Sequence, residues 1–100
     1  MAYKVIVNEK ATEDALQAYL YYEEKQKGLG ERFLTKLEIR YRQLAENPQY
    51  YSHISADKEK TLRGVVVTGF PYLIIFDIVG NEVIVYLIHN HYQKRGLDYE

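Results

Sequence analysis

The sequence predicts an α+β fold in two layers, a helical hairpin packed on a mainly antiparallel four-stranded sheet, with the elements in the order strand, helix, helix, strand, strand, strand. Three observations carry the prediction. Two stretches repeat apolar residues at helical spacing, separated only by Gly28-Leu29-Gly30. Three later stretches are dense in β-branched and aromatic residues and are divided by short turn sequences. Ahead of them all, Tyr3 to Val7 sets Val5 and Val7 on one face and Lys4 and Ile6 on the other, the period of a strand.

Each element can be justified in order. Asn8 is a candidate helix cap. From Ala11 to Lys27, Ala11, Ala15, Ala18 and Tyr22 form a stripe that Leu16, Tyr19 and Leu20 widen. Glu13 and Asp14 suit the positive end of this helix, and Lys25 and Lys27 its negative end. Glycine after a lysine-bearing last turn is the expected stop, so the chain reverses at Gly28. Phe33, Leu34, Leu37, Tyr41 and Leu44 make the stripe of a second helix, while Glu31, Lys36, Glu38, Arg40 and Arg42 fall mostly off it, and Asn47-Pro48 ends it. So short a link makes the two helices an antiparallel hairpin. Gln49 to Asp57 has neither period and reads as a loop. Strands follow at Thr61 to Val67, Tyr72 to Val79 and Glu82 to His89, the last two joined by the two-residue turn Gly80-Asn81. Tyr92 to Glu100 is a polar tail.

Composition narrows the classes. One hundred residues suffice for one domain, spanning 1–100, and leave too little chain for a second core. Hydrophobic residues at 47% and charged residues at 27% are ordinary globular usage, so disordered and low-complexity classes lack support. The longest apolar runs, Gly64 to Val67 and Phe70 to Phe76, fall well short of the roughly 20 residues of a spanning helix. The N-terminus enters a strand without a signal core, so the expected location is the cytoplasm. With no cysteine, disulfides, thiolate metal sites and cysteine nucleophiles are all excluded. A net charge of −1 removes any global field for nucleic acid, although over residues 58–97 Lys58, Lys60, Arg63, Lys94 and Arg95 outnumber Glu59, Asp77 and Glu82, until Asp98 and Glu100 cancel the excess. Eleven tyrosines suit half-buried contact surfaces.

The element order, with Leu62-Arg63 opening the second strand, Phe70-Pro71-Tyr72 opening the third and Ile88-His89-Asn90-His91 closing the last, resembles the RelE/ParE toxin superfamily of bacterial type II toxin–antitoxin modules, known also as plasmid stabilisation proteins. The resemblance runs from about Tyr3 to Leu97. It implies a growth-inhibiting toxin that a co-encoded antitoxin wraps and neutralises. One branch of the superfamily cleaves messenger RNA on the ribosome, and another poisons DNA gyrase.

Metal-independent RNA cleavage needs a group to take the 2′-hydroxyl proton, cations for the phosphorane charge and an acid for the leaving oxygen. Arg63 resembles the superfamily arginine at the start of its strand, and Lys58 and Lys60 its basic pair just upstream. His89 and His91 alternate on the last strand and share a face, with Tyr92 and Lys94 following. His91 stands where the ribosome-dependent ribonucleases tend to carry arginine, a departure that exchanges permanent charge for a proton carrier near neutral pH. The resemblance thus assigns catalysis to Arg63, His91 and Tyr92 and substrate binding to Lys58, Lys60, His89 and Lys94. Each has a plainer reading as solvated charge, packed arginine, backbone-bonded histidine or half-buried ring. Phe70-Pro71-Tyr72 is read as structural. Two histidines without a cysteine or carboxylate pair make no metal site, and no cofactor is expected.

The reading taken first is a toxin that cleaves ribosome-bound messenger RNA. The alternatives are a non-enzymatic, ParE-like toxin docking on gyrase, and a degenerate member that only binds its antitoxin. The expected partners are a cognate antitoxin and, by branch, the ribosome with its message or gyrase, with no membrane. The net charge of −1 counts against the first reading, because the ribosome-dependent ribonucleases are usually strongly basic.

Overall fold

In the computed structural model, residues 2–54, 59 and 61–90 are described. Strand β1 (Lys4–Val7) leads into helices α1 (Glu9–Lys25) and α2 (Leu29–Glu46), and a 3-10 turn at Pro48–Tyr50 follows; β2 (Arg63–Val66), β3 (Tyr72–Val79) and β4 (Glu82–Asn90) complete the order. The sheet runs β1-β4-β3-β2. β2 and β3 pair antiparallel, as do β3 and β4, but β1 lies parallel to β4, with Lys4 opposite Glu82 and Val7 opposite Val85. The sheet is therefore mixed. Parallel neighbours need a long crossover, and here the helices and the first two meander strands supply it.

The predicted helices form, with boundaries shifted by about one turn or less. Asn8 is the N-cap of α1 by position, without a side-chain cap bond. Its N–H instead donates to Val85 O at 2.9 Å, extending the β1–β4 pairing to the helix start. Ala11 and Ala18 are buried, and Ala15 and Tyr22 pack against the same core. Leu16 and Leu20 correct the predicted stripe: they are 54% and 53% exposed. They lie about 140° and 180° around the helix from the alanine face, so α1 rests on its small residues and turns its leucines away from the sheet. In α2, Phe33, Leu37 and Leu44 are buried, while Leu34 sits at the margin with 36% exposed. β2 starts at Arg63 instead of Thr61, and just ahead of it Leu62 O accepts the Ile54 N–H at 2.9 Å.

The hairpin turn contains a device not read from the sequence. The Glu23 carboxylate accepts the Gly28 N–H at 2.9 Å and the Gly30 N–H at 3.0 Å. It thereby satisfies two N–H groups at the start of α2 that no helical carbonyl can reach. Gly28 has φ +90°, the left-handed conformation that reverses the chain.

Between the layers, Phe33 meets Phe70 and Tyr72, each at 5.3 Å between ring centroids, and Tyr22 at 5.8 Å. This agrees with the structural reading of Phe70-Pro71-Tyr72. On the sheet, Tyr72, Ile74 and Phe76 of β3 belong to the core facing the helices, with Val65 and Val67 on β2 and the adjoining chain. A bulge pairs Phe76 with Val85 and Ile75 with Leu87, so Tyr86 is the extra residue of β4. Both Val85 and Ile88, three positions apart, consequently reach the helix-side core.

Tyr41 borders this core, and burial, reinforced by the Asp14 charge, pushes its phenol up to about 12. A folded-state pKa above the unfolded value of 10 stabilises the fold below pH 10, and that contribution is lost as pH rises towards 12. Tyr41→Phe is expected to remove this share of the alkaline loss, seen as a shallower decline of denaturation midpoint above pH 10. An unchanged slope would assign the loss to other groups.

Candidate functional site

Arg63 opens β2 and alternates with Val65, so it starts on the helix side of the sheet. Its guanidinium Nη1 donates to Tyr51 O at 2.7 Å and leans towards Gln49 O at 3.5 Å. The loop held this way also pairs with the strand: His53 bridges Arg63, and the Gly64 N–H donates to Ser52 O at 3.2 Å. Arg40, on α2, lies with its guanidinium 5.9 Å from the centre of the Tyr51 ring. Its Nε donates to Val66 O at 2.8 Å, and its Nη1 to Gln43 Oε1 at 2.9 Å. Two arginines thus flank one tyrosine, each anchored on a main-chain carbonyl. The planar guanidinium can keep such an anchor and still present donors to a carboxylate or phosphate.

His89 is placed differently. It pairs with Leu73 on β3, whereas Arg63 pairs with Phe76. Phe76 belongs to the helix-side core and Leu73, three positions away, does not, so Arg63 and His89 stand on opposite faces of the sheet. His89 is also buried, 7% exposed. Of the other residues the sequence proposes, Lys58, Lys60, His91, Tyr92 and Lys94 lie outside the described residues. Among the described residues, no three histidine, aspartate or glutamate side chains gather as metal ligands.

A second arrangement lies between α1 and the end of β4. Beyond Val85 the β1 partner has ended, and Asp14 reaches across from α1 to accept the Ile88 N–H at 3.0 Å. The same carboxylate pairs with Lys10 one turn earlier. Asn90 Nδ2 approaches the Tyr72 hydroxyl at 3.5 Å. Burial raises the Tyr72 phenol above its ordinary pKa, and the Asn90 contact partly reverses the shift. Lys10, Asp14, Tyr21 and Tyr72 line a groove here with Ile88 and Asn90. A charged residue covering an exposed strand end is a familiar protection of sheet edges.

Arg40 and Asp14 were missed by the sequence reading, yet a signal existed for both. Arg40 is three residues after Leu37 and four before Leu44, on the core side of α2, and Asp14 is four before Ala18 on the corresponding side of α1. A charge bordering an apolar stripe requires a partner when the helix docks, and each has one.

The family profile described as ParE toxin of type II toxin-antitoxin system, parDE, matches residues 5–94. The chain belongs to this toxin family. Membership implies a cognate antitoxin as partner. The fold is similar to that of a solved structure titled Chromosomal ParDE TA system from P. aeruginosa, with a TM-score of 0.76 and 13% identity, over 89% of this chain and 96% of that one. Comparison by sequence with functionally curated proteins finds no significant match. Among the described residues no helix is long and apolar enough to cross a membrane.

Proposed function

We propose that this toxin inhibits growth by docking on a protein, with DNA gyrase, the target of one branch of the superfamily it resembles, as that protein, and that it carries out no RNA cleavage. The observation that carries this reading is that Arg63 and His89 stand on opposite faces of the sheet, so the two cannot hold one phosphate together. The Tyr51 carbonyl, 2.7 Å from Arg63 Nη1, gives this arginine a further role as a pin for the loop across β2. The half-exposed Leu16 and Leu20 on the outer side of α1 supply apolar surface of the kind used in protein contacts.

The test assays one preparation for gyrase supercoiling and for message cleavage on purified ribosomes. Loss of supercoiling with intact message is expected. Cleaved message with normal supercoiling would restore the ribonuclease reading. Arg63→Ala separates the two roles of the arginine. As a pin, its loss leaves carbonyls short of a donor and costs about 1–3 kcal/mol of stability. A phosphate-stabilising role would instead appear as a loss of about 10² to 10³ in cleavage rate at unchanged stability.

A further inference from the structure

A cleft of about 440 Å³ opens at the hairpin end of the molecule, where α2 faces the turn between β2 and β3. Tyr22, Leu29, Phe70 and Pro71 contribute apolar lining, and Arg32 and Lys36 line the cleft as well. With Arg40, these cations recur every fourth residue, which places them in a row about 6 Å apart along one flank of α2. Glu31 and Glu38 project from the other side of the helix by their positions in the turn. The Glu23 carboxylate, at the end of α1, is engaged by the Gly28 and Gly30 N–H groups. Arg32 and Lys36 make no salt bridge among the described residues.

We propose that this flank receives an acidic, extended peptide segment, anchored by one apolar side chain in the cleft. The inference rests on the antitoxin reading, since the partner that membership implies would supply the segment. Charge complementarity names the acidic partner. Spacing names its conformation: side chains on one face of an extended chain repeat about every 6.6–6.8 Å, close to the step of the cation row. An apolar residue at one position with carboxylates two and four positions further on would seat the anchor and place both carboxylates beside cations. Arg40 can take part without leaving Val66, because a guanidinium has five donors.

The experiment follows backbone amide signals of the full chain by NMR while the peptide acetyl-Phe-Ser-Glu-Ser-Glu-Ser-amide is added. Shifts are expected around Leu29, Arg32, Lys36, Gly69 and Phe70, and they should weaken as salt rises. The analogue with lysine for glutamate should leave these signals in place. Arg32→Glu with Lys36→Glu turns attraction into repulsion and should weaken binding about tenfold or more. The milder Lys36→Gln should weaken it less, and the amide spectrum itself shows whether either variant is folded. Three results would overturn the proposal: no shifts, an equal response to the lysine peptide, or shifts confined to the groove between α1 and β4. A uridine hexanucleotide that maps to this flank while the acidic peptide does not would assign the cations to RNA and overturn it too. The NMR outcomes do not depend on toxicity, which is read separately. Failure here alongside retained growth inhibition, relieved by the neighbouring gene product, would therefore reject this surface and leave the antitoxin reading intact.

Discussion

Phe33→Ala is expected to cost the fold about 3–5 kcal/mol, as large-to-small changes of fully buried aromatics do. Phe33 is 0% exposed and touches the rings of Tyr22, Phe70 and Tyr72, which come from α1, the β2–β3 turn and β3. Removing it takes away the ring that joins both helices to the sheet, and its neighbours are too constrained by one another to close the void. Small domains have roughly 5–15 kcal/mol in total, so the loss is a large fraction of it. Urea denaturation of the purified variant measures it as a lower midpoint at unchanged slope. A loss below about 1 kcal/mol would mean that the site collapses around the deletion, contrary to the packing described. Phe33→Leu, which keeps most of the volume, should retain more of the stability. In cells, the alanine variant should inhibit growth less through lower abundance, since destabilised proteins are cleared.

Gly30→Ala is the second large effect, and its sign depends on a competition. Alanine in place of glycine favours a helix by about 1 kcal/mol. At this position, however, an added Cβ would stand 2.7 Å from Tyr19 O and 2.8 Å from Tyr19 Cδ1. The first of these is main chain of the partner helix, which cannot yield without the helices separating. Overpacking of this kind costs about 1–3 kcal/mol. The displaced Gly30 N–H also loosens its bond from Glu23, and bonds to charged groups contribute about 1.5–3 kcal/mol. The clash and the weakened bond exceed the propensity gain, so a net destabilisation of about 1–3 kcal/mol is expected in thermal or urea unfolding. Glu23→Ala tests the mechanism: in that background Gly30→Ala should cost less, because the bond is already gone. Equal costs in both backgrounds would limit the effect to the helix–helix contact.

The position of Gly30 illustrates what could be read in advance. Gly28-Leu29-Gly30 announced a chain reversal, and the structure has one, with Gly28 at φ +90°. The two glycines nonetheless do different work: Gly28 provides backbone freedom and has no atom within 4 Å of its would-be Cβ, whereas Gly30 provides proximity. A glycine looks the same in the sequence in both roles. The same limit explains Leu16 and Leu20. A seven-residue apolar stripe wraps more than half of a helix, and periodicity cannot say which part is covered when the neighbours are unknown. The alanine side is covered because it permits close approach to the sheet.

The candidate site was legible to the extent that it depended on local pattern. Arg63 was identified at a strand start, and it is there. Its bond to Tyr51 O joins residues 12 apart in the chain, and no spacing rule reaches that far. Arg40 and Val66 are separated by 26 positions and Asp14 and Ile88 by 74, so these pairings exist only once the layers have docked.

By itself the sequence determined the kinds of element, their order, the antiparallel meander and the resemblance to a toxin superfamily, because periodicity, turn residues and short loops act over a few residues each. Only the tertiary structure decided that β1 lies parallel beside β4, that a bulge at Tyr86 holds both Val85 and Ile88 against the helices, and that Arg63 and His89 occupy opposite faces of the sheet. Those outcomes follow from register. A shift of one residue along a strand exchanges its two faces, and register is chosen by the summed burial of strands and helices that are distant in sequence.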